Sequence, residues 1–224
     1  MRKVMAILAH PDDEVLGCGG TLAKMADHGD QVLLLICGEG LTARTNVKVD
    51  ELRALDDDLQ NAAKILGATD VFHLDWPDNS FDSRELLTLI RAIEEIALPF
   101  APEVVFTHHG GDLNIDHRYV HEAVMSCFRP LPARPRPLLL AVEVASSTGW
   151  AAPTLDRVFQ PNFFSEVTET LERKIQAMTA YRTEGQVWPH PRSPEAIRAW
   201  AQRWGSLVGV AAAEPFMVLR GFLT

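Results

Sequence analysis

Short, uninterrupted apolar runs constrain the fold of this chain more than any other feature. Residues 4–9 read VMAILA and residues 32–37 read VLLLIC, and shorter runs of the same kind occupy residues 71–74 and 104–107. Runs of this length without polar alternation are typical of strands that are buried on both faces of a parallel sheet. The chain is therefore expected to contain such a sheet.

Helical patterns separate these apolar runs. Residues 50–66 end before Gly67, a residue type that can take the positive φ found after helix C-termini. Residues 83–97 begin with Ser83, a capping residue type, and carry apolar side chains at helical spacing. Strands that alternate with helices indicate βαβ units. We therefore expect an α/β fold, a single-domain Rossmann-like and mostly parallel sheet with helices on both faces, over residues 1–224.

The second half of the chain is less regular. Residues 130–137 (PLPARPRP) contain four prolines and predict an extended loop. Residues 138–145 predict a strand, residues 165–182 a helix, and residues 216–223 a last strand. At Ser193-Pro194-Glu195 a capping residue precedes proline and an acid, which is typical of a helix start.

Composition excludes several classes of partner. A net charge of −9 argues against nucleic acid, because phosphate contacts need clustered lysine and arginine. No stretch approaches ~18 uninterrupted apolar residues, so no membrane span is predicted. Cys18, Cys37 and Cys127 are widely spaced and form no C-x-x-C pair, which favours buried free thiols in a reducing cytoplasm.

The first polar motif, His10-Pro11-Asp12-Asp13-Glu14, directly follows the first apolar run. In open α/β sheets, ligands bind beyond the carboxyl ends of the strands. Pro11 favours a helical turn that places His10 and Asp13 on one side, where they offer two ligands of a zinc site. The acids could instead only complement a helix N-terminus. Their mutual repulsion, however, favours a cation nearby.

Glycines follow this motif at Gly17-Cys18-Gly19-Gly20. Their spacing matches neither phosphate-binding glycine pattern, and the preceding acids would repel a phosphate. We interpret them as a loop that packs closely against the sheet, before a helix that begins at about Thr21.

The second motif, residues 107–122 (THHGGDLNIDHRYVHE), follows another apolar run and so reaches the same edge of the sheet. Candidates for the third ligand are the pair His108 and His109, then His117, then His121. His117 and His121 lie four residues apart and would share a helix face, a spacing that can chelate zinc. Asp116, beside His117 at the expected helix start, favours His117. The residues alone leave the choice open.

HPDDE followed by DLNIDHR resembles the PIG-L/LmbE-like family of zinc-dependent N-acetylglucosaminyl deacetylases, with weaker similarity towards the C-terminus. The resemblance implies that His10, Asp13 and His117 bind Zn²⁺ and that Asp12 is the catalytic base. Zinc with three protein ligands keeps a position for water and lowers its pKa to about 7. Since family members often form multimers, the resemblance also implies that this chain can form a homo-oligomer.

Other residues are expected to assist the site. Glu14 and Asp116 are candidate partners of the ligand histidines. Asn114 stands where many family members have histidine; it can donate to an oxyanion but cannot protonate the leaving amine. Asp12 acting twice, or His190, could supply that proton. His190 and Arg192 could also contact substrate, or could equally have a structural role in their loop.

These observations predict a zinc-dependent hydrolase that removes an N-acetyl group from an amino-sugar-containing small molecule. Two alternatives come from other classes. One is a zinc amidohydrolase that acts on a non-sugar amide, and the other is a non-catalytic, nucleotide-binding α/β domain. Metal content and a panel of N-acetyl compounds would separate the three.

Overall fold

The computed structural model describes residues 1–43 and 48–222. Its strands are β1 (Lys3–Leu8), β2 (Gln31–Gly38), β3 (Asp70–Trp76), β4 (Val104–His108), β5 (Leu138–Val142), β6 (Phe163–Glu166) and β7 (Ala213–Arg220). Its α-helices are α1 (Asp13–Asp27), α2 (Val49–Leu66), α3 (Leu86–Phe100), α4 (Ile115–Cys127), α5 (Leu171–Ala180) and α6 (Pro194–Val208).

The strands form one sheet in the order β3-β2-β1-β4-β5-β7-β6. Strands β1 to β5 pair in parallel, whereas β7 is antiparallel to both β5 and β6. The prediction of a mostly parallel α/β sheet is confirmed. Among the five parallel strands the strand order reverses between β1 and β4. Open α/β sheets bind ligands at such a topological switch point.

Both faces of the sheet are covered. Val4, Ala6 and Leu8 of β1 point into a core shared with α1, α2 and α5. Met5 and Ile7 point the other way, into a core shared with α3 and α4. The continuous apolar sequence of β1 follows from this double burial, because side chains of a strand alternate between its two faces.

Most predicted elements are present with shifted ends. Gly67 ends α2 with φ of 81°, as its position predicted. The helix expected from Ser83 begins at Leu86, and Ser83 lies in a short 3-10 turn before it. Ser193 caps α6 by accepting a hydrogen bond from the Ala196 amide. Residues 130–137 contain neither helix nor strand, as their prolines predicted.

Two predictions in the C-terminal half are wrong in part. The helix expected over residues 165–182 is β6 followed by α5, because Ser165 and Glu166 pair with Glu214 and Ala213 of β7. The last strand begins at Ala213, earlier than residue 216, and ends at Arg220. Leu223, the expected end of that strand, lies outside the described residues. Pairing between distant strands overrode the helical spacing.

The glycine loop expected before Thr21 is also wrong, because residues 17–20 lie inside α1. The helix is broken at Cys18, whose φ is −149°. Beyond the break, the amides of Gly20 and Thr21 donate to the buried Glu214 carboxylate. A Cβ on Gly17 would lie 2.6 Å from a Val142 methyl group, so the expected close packing against the sheet is present in a helix.

The three cysteines are free and buried, as expected. Across residues 1–43 and 48–222, none of the helices combines the length and apolar character that crossing a membrane requires.

Candidate active site

The carboxyl ends of β1 and β4 carry the predicted site residues. His10 to Asp13 follow β1 and lead into α1, and His117 lies in the first turns of α4 after β4. A cavity of about 230 Å³ opens between these segments. Its lining includes the three ligands and the base that the resemblance implied, with two of the expected assisting residues, namely His10, Asp13, His117, Asp12, Asn114 and Arg192, together with Asp78, Ser147 and Glu184.

Nitrogen and oxygen donors of His10, Asp13 and His117 converge, with one atom of each within 4.8 Å of the others. Asp13 Oδ2 lies 3.3 Å from His117 Nε2 and 3.5 Å from His10 Nδ1. The family resemblance implied this trio, and the fold brings its members together from two distant segments. Two imidazoles and a carboxylate form a donor set that catalytic zinc accepts.

Each of these histidines has a carboxylate behind it. His117 Nδ1 lies 3.2 Å from Asp112 Oδ2, and His10 Nε2 lies 2.9 Å from Asp116 Oδ2. Such partners fix the tautomer and the ring orientation of metal-binding histidines and raise their basicity. The residues present therefore fit a zinc ion, with the Nε2 of His117 and the Nδ1 of His10 directed towards Asp13.

Asp116 is held more firmly than a surface helix-capping acid. Besides contacting His10, its carboxylate accepts hydrogen bonds from the amides of Asn79 at 2.6 Å and Phe81 at 3.0 Å. Asp78, in the same loop, lies 3.3 Å from His10 Nε2. The loop after β3 therefore helps to fix His10, and Asp116 is located where a partner of a ligand histidine was expected.

Of the competing histidines, His108 also contacts Asp13, with its Nε2 3.4 Å from Asp13 Oδ2, whereas His109 and His121 contact backbone carbonyls. His108 Nε2 accepts the Ala9 amide at 2.8 Å, and burial lowers the pKa of His108 to about 4. His109 Nε2 lies 3.0 Å from the Arg157 carbonyl, and His121 Nδ1 donates to the His108 carbonyl at 2.8 Å. The His108 ring instead stacks on His117, with centroids 3.8 Å apart.

Charge coupling is strong among the converging donors. Burial lowers the pKa of His117, but Asp13 and Asp112 outweigh it and raise the pKa to about 10. Burial likewise lowers the pKa of His10, but hydrogen bonds to Asp116 and Asp13 outweigh it and raise that pKa to about 9. Burial raises the pKa of Asp13, but the nearby His117 and His108 outweigh it and hold that pKa well below the usual value. The Asp13 carboxylate is therefore strongly favoured in its ionised form.

Asp12 borders the trio without belonging to it. It is the residue before α1, buried, with a left-handed φ of 102° that non-glycine residues adopt rarely. Backbone strain of this kind persists where the surrounding structure enforces it, often at functional sites. Burial raises the pKa of Asp12 well above its usual value, against the lowering effect of Arg192.

Arg192 reaches the site from the loop before α6. Its Nη1 lies 2.8 Å from Asp12 Oδ2 and 2.7 Å from Glu184 Oε2. The sequence suggested Arg192 as a substrate contact or a loop residue, and the structure places it against the proposed base. The guanidinium can thus fix the Asp12 carboxylate within the cavity.

Glu14 differs from expectation. Its carboxylate accepts a hydrogen bond from Tyr181 Oη at 2.5 Å and from the Asp12 amide at 3.1 Å, and neither partner is a histidine. Burial raises the pKa of Glu14 to about 7. Glu14 therefore supports the turn that carries Asp12, whereas Asp112 occupies the position that was expected for it.

Asn114 and His190 lie at different depths. Asn114 caps α4, where Asp116 was expected to start the helix, and its Oδ1 accepts the Asp116 amide at 2.9 Å. Asn114 lines the cavity of about 230 Å³ described above, which we call the inner cavity. His190 accepts the Arg192 amide on Nδ1 and lines an adjoining outer cavity of about 570 Å³. Of the two, only Asn114 borders the converging donors.

Sequence reasoning missed Asp112, Asp78, Glu184 and Ser147. Asp112 belongs to the second motif, and alternating polar residues at 112, 114 and 116 could have marked it as a residue of the same loop. Ser147 Oγ donates to Asp112 at 3.1 Å. Glu184 lies in a stretch without a motif, so no local signal points to it.

Solved structures of similar fold include two with different chemistry. N,N′-diacetylchitobiose deacetylase from Pyrococcus horikoshii matches with a TM-score of 0.79 and 21% identity, covering 97% of this chain and 84% of that one. The 4-carboxy-2-hydroxymuconate hydratase GalB from Pseudomonas putida matches with a TM-score of 0.72 and 19% identity, covering 100% and 98%. These likenesses establish the fold and leave the reaction to the site.

Two curated relatives are deacetylases by name. The uncharacterized deacetylase YaiS of Escherichia coli is 30% identical over 75% of this chain and 83% of that protein. Diacetylchitobiose deacetylase of Thermococcus kodakarensis is 28% identical over 82% of this chain and 70% of that protein. The family model described as PIG-L, GlcNAc-PI de-N-acetylase, matches residues 5–128, a segment that contains both polar motifs. The chain belongs to the PIG-L family.

Proposed function

We propose that this protein is a zinc-dependent hydrolase that removes an N-acetyl group from an amino-sugar-containing small molecule, giving an amine and acetate. The observation that carries the proposal is the convergence of His10, Asp13 and His117 beside the buried Asp12 carboxylate. The deacetylase names of its relatives support the same chemistry.

His10, Asp13 and His117 would hold the metal. A bound zinc ion supplies Lewis acidity, which makes a water more acidic and polarises an amide carbonyl. Asp112 and Asp116 keep the two histidine rings oriented from behind. The protein thereby fixes the direction of the donors before a substrate arrives.

Asp12 would accept the proton of the attacking water. A general base works best when its pKa lies near the working pH, and burial moves the pKa of Asp12 upwards in that direction. Arg192 contacts one carboxylate oxygen at 2.8 Å and so limits the rotation of the group. The Asp12 side chain is thus positioned by a cation on one side and by its strained backbone on the other.

The same group would return the proton to the leaving amine. Asp12 lines the inner cavity, whereas His190 lines the outer one, so Asp12 needs no second acid to complete the reaction. Asn114, also at the inner cavity, would donate a hydrogen bond to the carbonyl oxygen as negative charge develops there.

A nucleotide-binding domain is the weaker alternative. Residues 17–20 lie inside α1 and form no phosphate-binding loop. The inner cavity presents four carboxyl groups, those of Asp12, Asp13, Asp78 and Glu184, beside Arg192, His10 and His117, so it is not the predominantly basic site that phosphate binding favours. A cytoplasmic location and a homo-oligomer remain predictions.

The test combines metal content with a substrate screen. The purified chain should contain about one zinc, and mass spectrometry should show loss of one acetyl group from N-acetylated amino sugars. Asp12→Asn serves as a matched control that should keep zinc and lose most of the activity. If the protein hydrolyses only non-sugar amides, the substrate class is a non-sugar amide and not an amino sugar. A metal-free protein without deacetylation would contradict the proposal.

A further inference from the structure

A third, chemically different cavity lies beside the outer cavity. It measures about 460 Å³ and is lined mainly by aromatic, proline and alanine residues: Ala145, Gly149, Trp150, Trp188, Pro189, Pro191, Ala196, Ala199, Trp200 and Arg203. Its three tryptophans are substantially exposed, Trp188 at 61%, Trp150 at 59% and Trp200 at 38%. Indole rings exposed together in a concave surface are typical of a binding site.

The lining offers little to a polar ligand. Arg203 is its one ionisable side chain among the described residues, and the guanidinium lies over the Trp204 ring, 4.3 Å from the centroid. The Trp200 indole N–H is already used, donating to Glu143 at 2.8 Å. Sugar hydroxyl groups buried here would meet no acceptor among the lining side chains, so the hydrogen bonds that they donate to water would be lost, which is costly. The cavity therefore suits an apolar group.

This apolar cavity adjoins the catalytic region at Trp150. Trp150 lines both it and the outer cavity that contains His190 and Arg192. The segment 186–192 separates the two: Gln186 and His190 face the outer cavity, and Trp188 faces the apolar one. The outer cavity in turn shares Asn114 and Arg192 with the inner cavity. A molecule that starts at the proposed zinc ligands can thus extend past Trp150.

We propose that the apolar cavity binds the aglycone of the substrate, and that this aglycone is an aryl or alkyl group attached to the N-acetylated sugar. The proposal rests on the proposed deacetylase function and narrows its substrate class. The polar inner and outer cavities accommodate the acetamido sugar, while Trp150, Trp188 and Trp200 bury the apolar group. A volume of about 460 Å³ is ample for a phenyl ring or a short alkyl chain.

The experiment compares the methyl and phenyl glycosides of N-acetylglucosamine, in both anomers, on the zinc-loaded protein. Burying the phenyl ring should raise kcat/KM about tenfold over the methyl glycoside, as expected for a modest apolar contact. Trp188→Ala and Trp150→Ala should each bring the ratio of the two kcat/KM values close to one. Leu207→Ala removes an exposed apolar side chain of α6 outside the cavity and should leave the ratio unchanged.

Several outcomes would overturn the proposal. Equal kcat/KM for both glycosides in the wild type would do so, as would a phenyl preference that survives both tryptophan substitutions. Dissociation of an oligomer in Trp188→Ala would identify the occupant as a second copy of the chain. Thermal melting of each variant checks that the fold persists.

Failure of the deacetylase function is distinguishable from failure of the aglycone site. If the zinc-loaded protein deacetylates neither glycoside, calorimetric binding of the two glycosides decides whether the aglycone site exists. Tighter binding of the phenyl glycoside that Trp188→Ala abolishes would retain the aglycone site and reject the activity. Equal or undetectable binding of both would reject the aglycone site as well.

Discussion

The strand-end segments and the C-terminal loop contribute to the site in contrasting ways. His117 and Asp13 are almost fully buried, and Asp112 and Asp116 contact the rings of His117 and His10, the two proposed ligand histidines. Across the cavity, Arg192 is partly exposed at 27%, and Trp188 is mostly exposed. Rigid strand ends suit groups that need fixed geometry, whereas loops suit recognition. Under the proposed function, metal binding and substrate selection would reside in separate parts of the chain.

The largest effects are expected on the strand-end side. His10→Ala, Asp13→Ala and His117→Ala should each lose zinc and reduce deacetylation to the level of the metal-stripped protein, since a three-ligand site cannot spare a ligand. Zinc is measured by mass spectrometry on the purified variants. His121→Ala is the control and should keep the metal, because His121 bonds a backbone carbonyl. Zinc loss in His121→Ala with retention in His117→Ala would reverse the assignment.

Asp12→Asn should separate catalysis from metal binding. The amide cannot accept the water proton, so kcat should fall by ~10²–10⁴-fold while zinc content stays the same. Both quantities are measured on one preparation. Asp82→Asn, an exposed acid outside the inner cavity, provides the control. A metal-free Asp12→Asn protein would instead make Asp12 a ligand.

Asp112→Asn should weaken the metal site without removing a ligand. Removing the charge behind His117 should reduce zinc affinity by about 10–100-fold, measured by competition with a chelator, with kcat restored at saturating zinc. Asp116→Asn should reduce zinc affinity by a similar factor, since Asp116 accepts two backbone amides. Asp112 likewise accepts the Asn114 amide and the Thr148 hydroxyl. Asp58→Asn removes a buried acid that pairs with Arg182 instead, and it should leave affinity unchanged. Equal affinities in all three variants would refute this role for the backing acids.

Arg192→Ala tests the loop side and should have the smallest effect of the four. Loss of the ion pair with Asp12 should lower kcat about tenfold, the scale of one charged contact at a partly exposed position, and zinc should remain. His190→Ala should change kcat by less than Arg192→Ala, because His190 lines only the outer cavity. If His190→Ala has the larger effect, and its pH profile loses a basic limb, His190 delivers the proton and the two regions share catalysis.

The strand-end half was largely predictable because its signals are local. The apolar run that forms β1 and the HPDDE motif are contiguous, so the edge at which His10 and Asp13 lie follows from the sequence alone. Asn114 and His117 follow β4 in the same way. The backing role of Asp112 was less visible, because a short acidic loop residue shows its partner only after folding.

The C-terminal half was less predictable because its structure depends on distant pairing. Residues 163–166 form β6 by pairing with β7, although the helical spacing of residues 165–182 begins within them. Glu184 and Asp12 both lie against Arg192, yet no periodicity or motif links these three positions. Contacts between segments far apart in sequence leave no local pattern to detect.

Asp116 also makes the integrity of the site observable without any substrate. Its carboxylate joins His10, Asn79 and Phe81, which lie 106, 37 and 35 residues away along the chain. Contacts of such separation form only after the intervening loops have closed, so they open together with the surrounding structure. Hydrogen exchange at the Asn79 and Phe81 amides would therefore report cooperative opening of the whole site, and not the fraying of one surface turn.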